Sequence, residues 1–522
     1  MERLCAWLRL RPWLAPAAFV LLVLAIRFKY LRQMALDGLP YLADADCYTR
    51  MERVRHLLAD GCLFRASHPW ENAPVGITTH ATALLDLLIA TPALIFLHVS
   101  PQALDWTGWT LPPLLAATAG WALWRLTASP VMALGWTRWP ILLTFALHPL
   151  TVWANSVGRP DHQALVVPLL AVALVLEILR SRDPHPAWPW VAGACWGTAL
   201  WVSLYEPLLL FIPTFVLVAS IQRRAFGAWL GATALVALPA WFLEGWRWSN
   251  PVPLWQDPHL SHWLAMIGEL KSPPPWQWLS LLAILPALGW GTWSRWVARR
   301  YPSGQDGWPF DRLYPWVITL VLAGLSLWQQ RWMALLPFPL AWAAFSLLRD
   351  IRSTPWHVGL ITLHLLPMVA WTLWELPQIQ PPKEAAQMRQ LAGKIGATGN
   401  LLGPWWLSPA LLHFSGRPVV ASSSHQSLAG NLDSARFFTT KDFTEADAIL
   451  QRRRVEWIAV YRPERTFANA RQLLEGPKAD LTIDEKDFYR YVILRLWDVK
   501  MIPPRYRLAF ASPDWRLYHY QP

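Results

Sequence analysis

Long apolar runs separated by short polar stretches are the feature that most constrains this chain. Runs of about 15 to 23 apolar residues recur along it, and about 20 such residues suffice for one helix to cross a bilayer. With 54% hydrophobic and only 15% charged residues, the chain carries far fewer charges than the roughly 25% of a soluble domain. The pattern therefore predicts a mainly α-helical, polytopic membrane protein.

About eleven transmembrane helices are expected from the lengths of these runs. The first, Leu14 to Phe28, is expected to be a permanent anchor because no small-residue cleavage site follows it. The others are predicted at Trp106–Leu126, Val131–Trp153, Leu165–Leu179, Trp188–Leu204, Pro207–Ile221, Ala225–Leu243, Trp276–Trp293, Tyr314–Trp328, Trp332–Leu348 and Trp356–Leu373.

The segment Ala81 to Val99 has two interpretations. If it spans the membrane, the preceding loop lies on the side opposite Asp161; if it lies in the interface, the two are together. Asp86 and His98 interrupt its apolar character, which favours a helix that does not span.

The formal net charge of +12 comes from short arginine clusters between the apolar runs. This is the positive-inside pattern of membrane proteins, and it does not indicate a nucleic-acid partner. The connections expected in the cytoplasm contain Arg125, Arg180, Arg182, Arg223, Arg224, Arg295, Arg299, Arg300, Arg349 and Arg352. The opposite, extracytoplasmic set contains Asp161, Glu206, the loop Glu244 to Pro275, Gln329 to Arg331 and the polar chain after Glu375.

Two of the four cysteines, Cys47 and Cys62, share one polar loop. In an oxidising compartment they could form a disulfide, and two unpaired thiols are an equally open alternative. Cys5 lies in the N-terminal tail and Cys195 within an apolar run.

The composition changes after Pro381-Pro382, which indicates a small mixed α/β domain at the C-terminus. We predict an amphipathic helix at Lys383 to Lys394, strands at Pro418 to Ser422 and Val455 to Tyr461, and a hairpin at Arg507 to Tyr520. The predicted division is therefore a membrane domain, residues 1–375, and an α/β domain, residues 376–522.

Four groups of polar residues in the outer connections are candidates for chemistry. Asp44 and Asp46 stand just before a helical pattern and could hold a hard divalent cation through oxygen; alternatively, Asp46 could cap that helix. Asp161 could likewise be a helix cap, and Glu269 a solvated loop acid. Arg331 opens a span from the outer side, against the charge bias, and an anionic headgroup or phosphate would be a suitable partner for it.

Taken together, these groups resemble the catalytic subunits of oligosaccharyltransferases, a GT-C family, and most closely the bacterial and archaeal members. The resemblance rests on Asp46-Cys47-Tyr48 and Asn72 to His80 in the first outer loop (29–105), on Gly158-Arg159-Pro160-Asp161-His162 in the second (154–164), and on Ile267-Gly268-Glu269 in a later one (244–275). In the tail, Arg417 to Ser422 and Asp433 to Phe438 look like segments that follow the family's acceptor motif.

The resemblance implies catalysis by Asp46, Asp161 and Glu269, which with Gln163 would bind a divalent metal, Mg²⁺ or Mn²⁺. Arg331 would hold the pyrophosphate of a polyprenyl-linked sugar donor. Other residues expected to bind substrate are Asp44, His80, Arg159, His162, Trp405 and Trp406. The acceptor would be a protein or a glycan, and the enzyme would work at the outer face of the cell (inner) membrane.

Two departures from the family pattern bear on function. Gln163 stands where family members often have an acid or a histidine, and an amide oxygen is an uncharged ligand. The acceptor motif Trp-Trp-Asp-Tyr-Gly reads Trp405 to Pro409 with Leu407 in place of its aspartate, so an acceptor other than an Asn-x-Ser/Thr protein has equal weight. A paralogue that binds lipid-linked glycans without transferring them, and a transporter or flippase, are the alternatives to a transferase.

Overall fold

The computed structural model describes residues 13–100, 102–246, 257–298, 310–349, 354–482 and 490–522. Cys5, Arg299, Arg300, Arg352 and part of the predicted outer loop 244–275 lie outside them. The chain divides into two compact units, each made of three segments. The first, here the helical unit, comprises Met1–Met34, Trp106–Leu243 and Glu269–Pro381. The second, the mixed unit, comprises Ala35–Asp105, Glu244–Gly268 and Pro382–Pro522.

The mixed unit thus joins the tail to two segments that precede it in sequence. The helices of the helical unit are Leu14–Arg27, Leu31–Met34, Ala103–Thr127, Arg138–Leu147, Pro149–Ala154, Gln163–Arg182, Ala187–Val202, Tyr205–Ile221, Arg223–Leu243, Pro275–Ser280, Leu285–Ala298, Phe310–Trp328, Pro337–Ser346 and Thr354–Glu375.

Five helical segments of the described chain are long and apolar enough to cross a membrane. They are Leu14–Met34, Gln163–Arg182, Arg223–Leu243, Phe310–Trp328 and Pro355–Gln378. Gln163–Arg182 is the most enclosed of them, with 83% of its apolar window buried. The other helices of the unit therefore pack around it.

Several predicted spans are shorter or interrupted in the structure. Val131 to Trp153 contains two helices that meet at His148-Pro149, because a proline donates no backbone hydrogen bond and occupies the first turn of a new helix. Trp332 to Leu348 begins as the 3₁₀ turn Gln330–Ala334, and the helix starts only at Pro337. Apolar periodicity alone does not reveal such breaks.

Two glycines bring neighbouring helices of the unit into backbone contact. A Cβ placed on Gly193 would lie 2.1 Å from the carbonyl oxygen of Trp229, and one on Gly197 would lie 2.7 Å from that of Thr233. The spacing of four residues puts both glycines on one face of helix Ala187–Val202. Helix Arg223–Leu243 packs directly against that face.

A buried acid lies near the C-terminal end of helix Gln163–Arg182. The Glu177 carboxylate accepts hydrogen bonds from Nε1 of Trp196 (3.0 Å), Nε1 of Trp229 (2.8 Å) and Nε of Arg180 (2.5 Å). The side chains of Glu177 and Arg180 are both 0% exposed. We call these four residues the Glu177 cluster; its hydrogen-bond donors come from three helices and surround one carboxylate.

The mixed unit contains all strands of the described chain, here β1 to β8. Its helices are Ala45–Asp60, Leu84–Phe96, Pro258–Met266, Lys383–Ala392, Ser408–Ser415, Leu428–Thr439, Phe443–Arg452, Pro463–Glu475 and Val492–Asp498. Its strands are β1 Ala35–Leu36, β2 Leu39–Pro40, β3 Ser67–His68, β4 Ile77–Thr78, β5 Asn400–Leu402, β6 Val455–Tyr461, β7 Tyr506–Ala511 and β8 Trp515–Tyr520.

The tail forms a four-stranded sheet in the order β5-β6-β8-β7. The predicted strand Val455 to Tyr461 and the C-terminal hairpin are present. Pro418 to Ser422 was predicted as a strand, and this is wrong: it makes only an isolated bridge at Val419. The strand there is β5, which runs parallel to β6 and is too short to show periodicity.

The ambiguous segment forms the 13-residue helix Leu84–Phe96 of the mixed unit. At 1.5 Å per residue it covers about 20 Å, less than the hydrocarbon core of a bilayer. Its Asp86 is buried and pairs with Arg50 (2.6 Å) and Arg53 (2.7 Å). Length and ion pairing thus favour the interpretation in which it does not span.

Cys47 and Cys62 of the same loop are not joined in a disulfide.

A second enclosed acid–cation group, here the His413 cluster, lies in the mixed unit. His413 Nδ1 is 2.8 Å from Glu52 Oε1, its Nε2 is 3.4 Å from Asp105 Oδ1, and its carbonyl accepts a hydrogen bond from Arg55. Burial alone would lower the pKa of His413, but the two carboxylates outweigh burial and raise it. The His413 side chain therefore links Glu52 and Asp105 to helix Ser408–Ser415.

Candidate active site

The second outer loop holds Asp161 at the entrance to helix Gln163–Arg182. Gly158 has a φ of 75°, a conformation that glycine adopts without strain, and its N–H donates to Trp109 O (2.9 Å). The Asp161 carboxylate accepts the backbone N–H of His162 (2.6 Å) and lies 2.7 Å from His162 Nδ1. Asp161 is therefore not the cap of this helix: the N-cap residue is His162, which makes no side-chain cap hydrogen bond. The Asp161 carboxylate instead holds the imidazole beside it.

Glu206 connects His162 with Arg331. Its Oε1 is 3.4 Å from His162 Nε2 and accepts a hydrogen bond from Arg331, while its Oε2 accepts one from Ser203 (2.7 Å). Its side chain is only 3% exposed. Burying a carboxylate is costly unless cations and donors surround it, so Glu206 fixes the position of both cations.

Glu269 lies in the 3₁₀ turn Gly268–Leu270 and completes the group. Its Oε2 accepts a hydrogen bond from Gln163 Nε2 (3.2 Å), and its Oε1 is 3.6 Å from Arg331 Nη1. Its side chain is 36% exposed, the most open of these groups. We call Asp161, His162, Gln163, Glu206, Glu269 and Arg331 the outer cluster.

The electrostatics of the outer cluster favour binding of both cations and anions. Burial alone would lower the pKa of His162, but Asp161 and Glu206 raise it to about 10, so the imidazole is a cation at neutral pH. Burial would also lower the pKa of Arg331, and Glu206 and Glu269 raise it above its usual value. Two fixed cations and three acids thus stand together, and the most exposed acid is Glu269.

The donor chemistry of this cluster fits a hard divalent metal. Asp161 and Glu269 offer carboxylate oxygens and Gln163 an amide oxygen, the ligands that Mg²⁺ and Mn²⁺ prefer. Within the described ranges, no group of three His, Cys, Asp or Glu residues is spaced to hold a metal ion. Asp161 and Glu269 are therefore candidate ligands that would need further oxygen donors, as Mg²⁺ commonly finds in water and substrate.

The first acidic motif lies in the mixed unit and separates into two roles. Asp44 caps helix Ala45–Asp60, since its Oδ1 accepts the N–H of Cys47 (3.0 Å). Asp46, in the first turn, is exposed, and its Oδ1 accepts a hydrogen bond from Ser423 (2.7 Å). Of the two, Asp46 is thus the acid that is not used for the cap. The metal role predicted for it stays a prediction.

The remaining predicted residues have individual partners. His80 Nδ1 is 2.9 Å from Gln426 Nε2, and Arg159 lies over the ring of Trp153, 4.8 Å from its centroid. Trp405 donates to Asn469 Oδ1 (2.8 Å). Trp406 lies 5.8 Å from Trp405, edge to face. Their predicted substrate contacts are not tested by these distances.

The structure brings together five predicted residues of the helical unit: Asp161, His162, Gln163, Glu269 and Arg331. It adds Glu206, to which the sequence assigned no role. The available signal was an acid in the first turn of an apolar helix, Tyr205–Ile221, on the predicted outer side. Such an acid is costly near a membrane without partners, and here its partners are the two cations.

Comparison with known proteins shows which fold this chain has. No protein-family model and no curated protein matches the chain, but solved structures of GT-C glycosyltransferases do. The oligosaccharyltransferase of Archaeoglobus fulgidus, tethered with an acceptor peptide containing the NVT sequon, matches with a TM-score of 0.73 at 13% identity, over 97% of this chain and 80% of that chain.

Two further structures are similar. The Archaeoglobus enzyme in complex with zinc and sulfate matches with a TM-score of 0.59 at 14% identity, over 84% of this chain and 67% of that chain. ArnT from Cupriavidus metallidurans, bound to undecaprenyl phosphate, matches with a TM-score of 0.56 at 13% identity, over 96% of this chain and 97% of that chain. The chain is thus a membrane protein with the GT-C fold, as predicted; identities this low show the fold alone.

Proposed function

We propose that this protein is a membrane glycosyltransferase that moves a sugar or oligosaccharide from a polyprenyl phosphate or pyrophosphate carrier to an acceptor. The observation that supports this most is the outer cluster, in which the buried acid Glu206 holds both Arg331 and His162, and Arg331 lies beside Glu269. The zinc, sulfate and undecaprenyl phosphate bound by the two neighbours agree with a site for a metal and a phosphate.

Each residue of the cluster has a distinct part in this proposal. Transfer breaks the bond between the anomeric carbon and the carrier phosphate, so negative charge develops on the departing oxygen. Arg331 and protonated His162 stabilise that charge because they are fixed in position before the reaction. Asp161 and Glu269 would hold a divalent metal, which when bound supplies further neutralisation of the phosphate.

The acceptor attacks the anomeric carbon directly, and Glu269, as the most exposed carboxylate of the outer cluster, would orient it. Asp46 enters the proposal through the family resemblance alone, as a further metal ligand. We place the reaction at the extracytoplasmic face of the cell (inner) membrane, because the positive-inside pattern puts Asp161, Glu269 and Arg331 on that side.

The acceptor segment does not offer the hydroxyl-binding aspartate of a sequon site. Leu407 is 8% exposed, and the neighbouring Ser408 hydroxyl is engaged by Pro404 O (2.9 Å). A site without a matching polar group discriminates poorly for an acceptor hydroxyl. The proposed acceptor is therefore a glycan or a protein recognised without an Asn-x-Ser/Thr sequon.

The test is a transfer assay with purified protein and extracted polyprenyl-linked sugars. We expect divalent metal to cause loss of the donor and release of the carrier phosphate, and a chelator to stop both. Asp161→Asn should abolish the loss, while Asp183→Asn, at a carboxylate bound to Trp188, should leave it unchanged. Leu407 also favours a second candidate, a paralogue that only binds lipid-linked glycans; donor binding without metal-dependent loss would establish it.

A further inference from the structure

The side chains of three consecutive residues, Gln329, Gln330 and Arg331, each contact another segment of the helical unit. Arg331 reaches Glu206 and Glu269. Gln329 Oε1 accepts a hydrogen bond from the Tyr205 hydroxyl (3.0 Å). The outer cluster contains only the arginine of these three, so the glutamines on its N-terminal side have no part in the function proposed above.

Gln330 joins the arginine segment to the glutamate segment at two points. Its backbone N–H donates to Lys271 O (2.7 Å), two residues after Glu269. Its side-chain Oε1 accepts a hydrogen bond from Gln277 Nε2 (3.2 Å), in helix Pro275–Ser280. These bonds bracket the chain that follows Glu269, so they limit how far Glu269 can move from Arg331.

Gln329 restrains the arginine from the other side. Tyr205, whose hydroxyl it binds, lies under the Arg331 guanidinium with 5.0 Å between Cζ and the ring centroid. Tyr205 is also the neighbour of Glu206 in the chain. The two glutamines thus connect Arg331 to the segments that carry its two acidic partners.

We propose that Gln330 and Gln277 are positioning residues, whose mutual hydrogen bond fixes the separation of Glu269 from Arg331 and so couples metal and acceptor orientation to binding of the donor phosphate. The 3.6 Å separation of Arg331 Nη1 and Glu269 Oε1 is too long for a strong hydrogen bond, so it depends on the segments behind it. The inference rests on the proposed function, because a misplacement of 1 Å can cost about 100-fold in rate.

The test uses Gln277→Met and Gln330→Met, which keep side-chain length and remove the mutual hydrogen bond. Each should lower kcat by about 10-fold with the donor KM changed less than threefold and the unfolding temperature unchanged. Because both remove one interaction, the double variant should be no slower than either single one. Gln277→Glu should restore kcat, since the Gln330 amide can turn to donate to it.

Gln378→Met is the matched control, at a glutamine of the 3₁₀ turn Leu376–Gln378 whose side chain donates to Trp374 O (3.1 Å), four residues earlier. A kcat within twofold of wild type in both Met variants, or effects that multiply in the double variant, would overturn the proposal. Hydrogen exchange of the backbone across 268–280 gives a readout that needs no transfer: it should accelerate in both Met variants and not in Gln378→Met. If hydrogen exchange is unchanged in the Met variants, the positioning role is contradicted, even if the protein proves inactive. If the wild type shows no transfer but exchange is accelerated in the Met variants, only the proposed transferase activity is refuted.

Discussion

Each end of helix Gln163–Arg182 carries a cluster of acidic and basic side chains, but one cluster is buried and the other is partly exposed. At one end the Glu177 cluster surrounds one carboxylate with an arginine and two indoles, all buried. At the other, the outer cluster sets three acids against two cations and leaves Glu269 36% exposed. The first has no unused charge, whereas the second has more acids than cations and an open side.

The difference teaches how to separate a structural ion pair from a site. A fully enclosed pair is retained at a desolvation cost and gives nothing to a ligand. A cluster that keeps fixed cations and an exposed acid can still change partners when a metal and a phosphate arrive. Enclosure, and not the presence of charge, distinguishes the two ends.

The largest effect should come from breaking the enclosed end. Glu177→Leu leaves Arg180 and two indole N–H groups without their acceptor, so we expect a loss of about 3–5 kcal/mol in the free energy of unfolding. Thermal unfolding in detergent measures it. Glu177→Leu combined with Arg180→Met should recover part of the loss. Retention of wild-type stability by Glu177→Leu would show that the cluster is not closed.

At the open end the effect should fall on the reaction instead. Asp161→Asn should lower kcat by about 100- to 1,000-fold, equivalent to about 3–4 kcal/mol of transition-state stabilisation, with the unfolding temperature close to wild type. Raising the metal concentration should restore little, since the amide carries no charge. If Asp161→Asn unfolds the protein and spares the specific activity, the two ends are alike and the assignment fails.

The His413 cluster sharpens the comparison, because it is enclosed yet contains a histidine, whose charge depends on pH. Since the pKa of His413 is raised on folding, its contribution is fully present below the unfolded pKa of about 6.5 and is lost as pH rises through the folded pKa. His413→Gln should therefore cost about 1 kcal/mol near pH 6 and progressively less at higher pH. Unfolding curves of both proteins across that range measure this; a difference that grows with pH would contradict it.

Much of the helical fold follows from the apolar runs. For example, the bounds of helix Gln163–Arg182 differ by only a few residues from those of the predicted span, Leu165 to Leu179. The breaks at Pro149 and Pro337 do not follow, because a proline is compatible with a kinked helix as well as with a new one. Strand β5 was missed because three residues show no period. Span lengths are thus predictable where burial is uniform, and interruptions are not.

For the site, the sequence indicated Asp161, Glu269 and Arg331 because all three are predicted on one side of the membrane. It missed Glu206, whose importance depends on being 3% exposed next to two cations, a fact of packing. It also offered Asp46 as the helix cap, and this is wrong: the cap is Asp44, because the choice depends on backbone geometry. Residue type and side are readable from a sequence, and partnership across helices is not.

The two glycines of helix Ala187–Val202 act as a spacer for the enclosed end. Trp229, whose carbonyl faces Gly193, also donates its indole N–H to Glu177. Any larger residue at 193 would have to push this backbone away by more than about 1 Å, because interiors so tightly packed have no slack. The Trp229 indole would then move away from the Glu177 carboxylate. The missing side chain at Gly193 therefore determines how precisely the Glu177 charge is held by its hydrogen-bond donor.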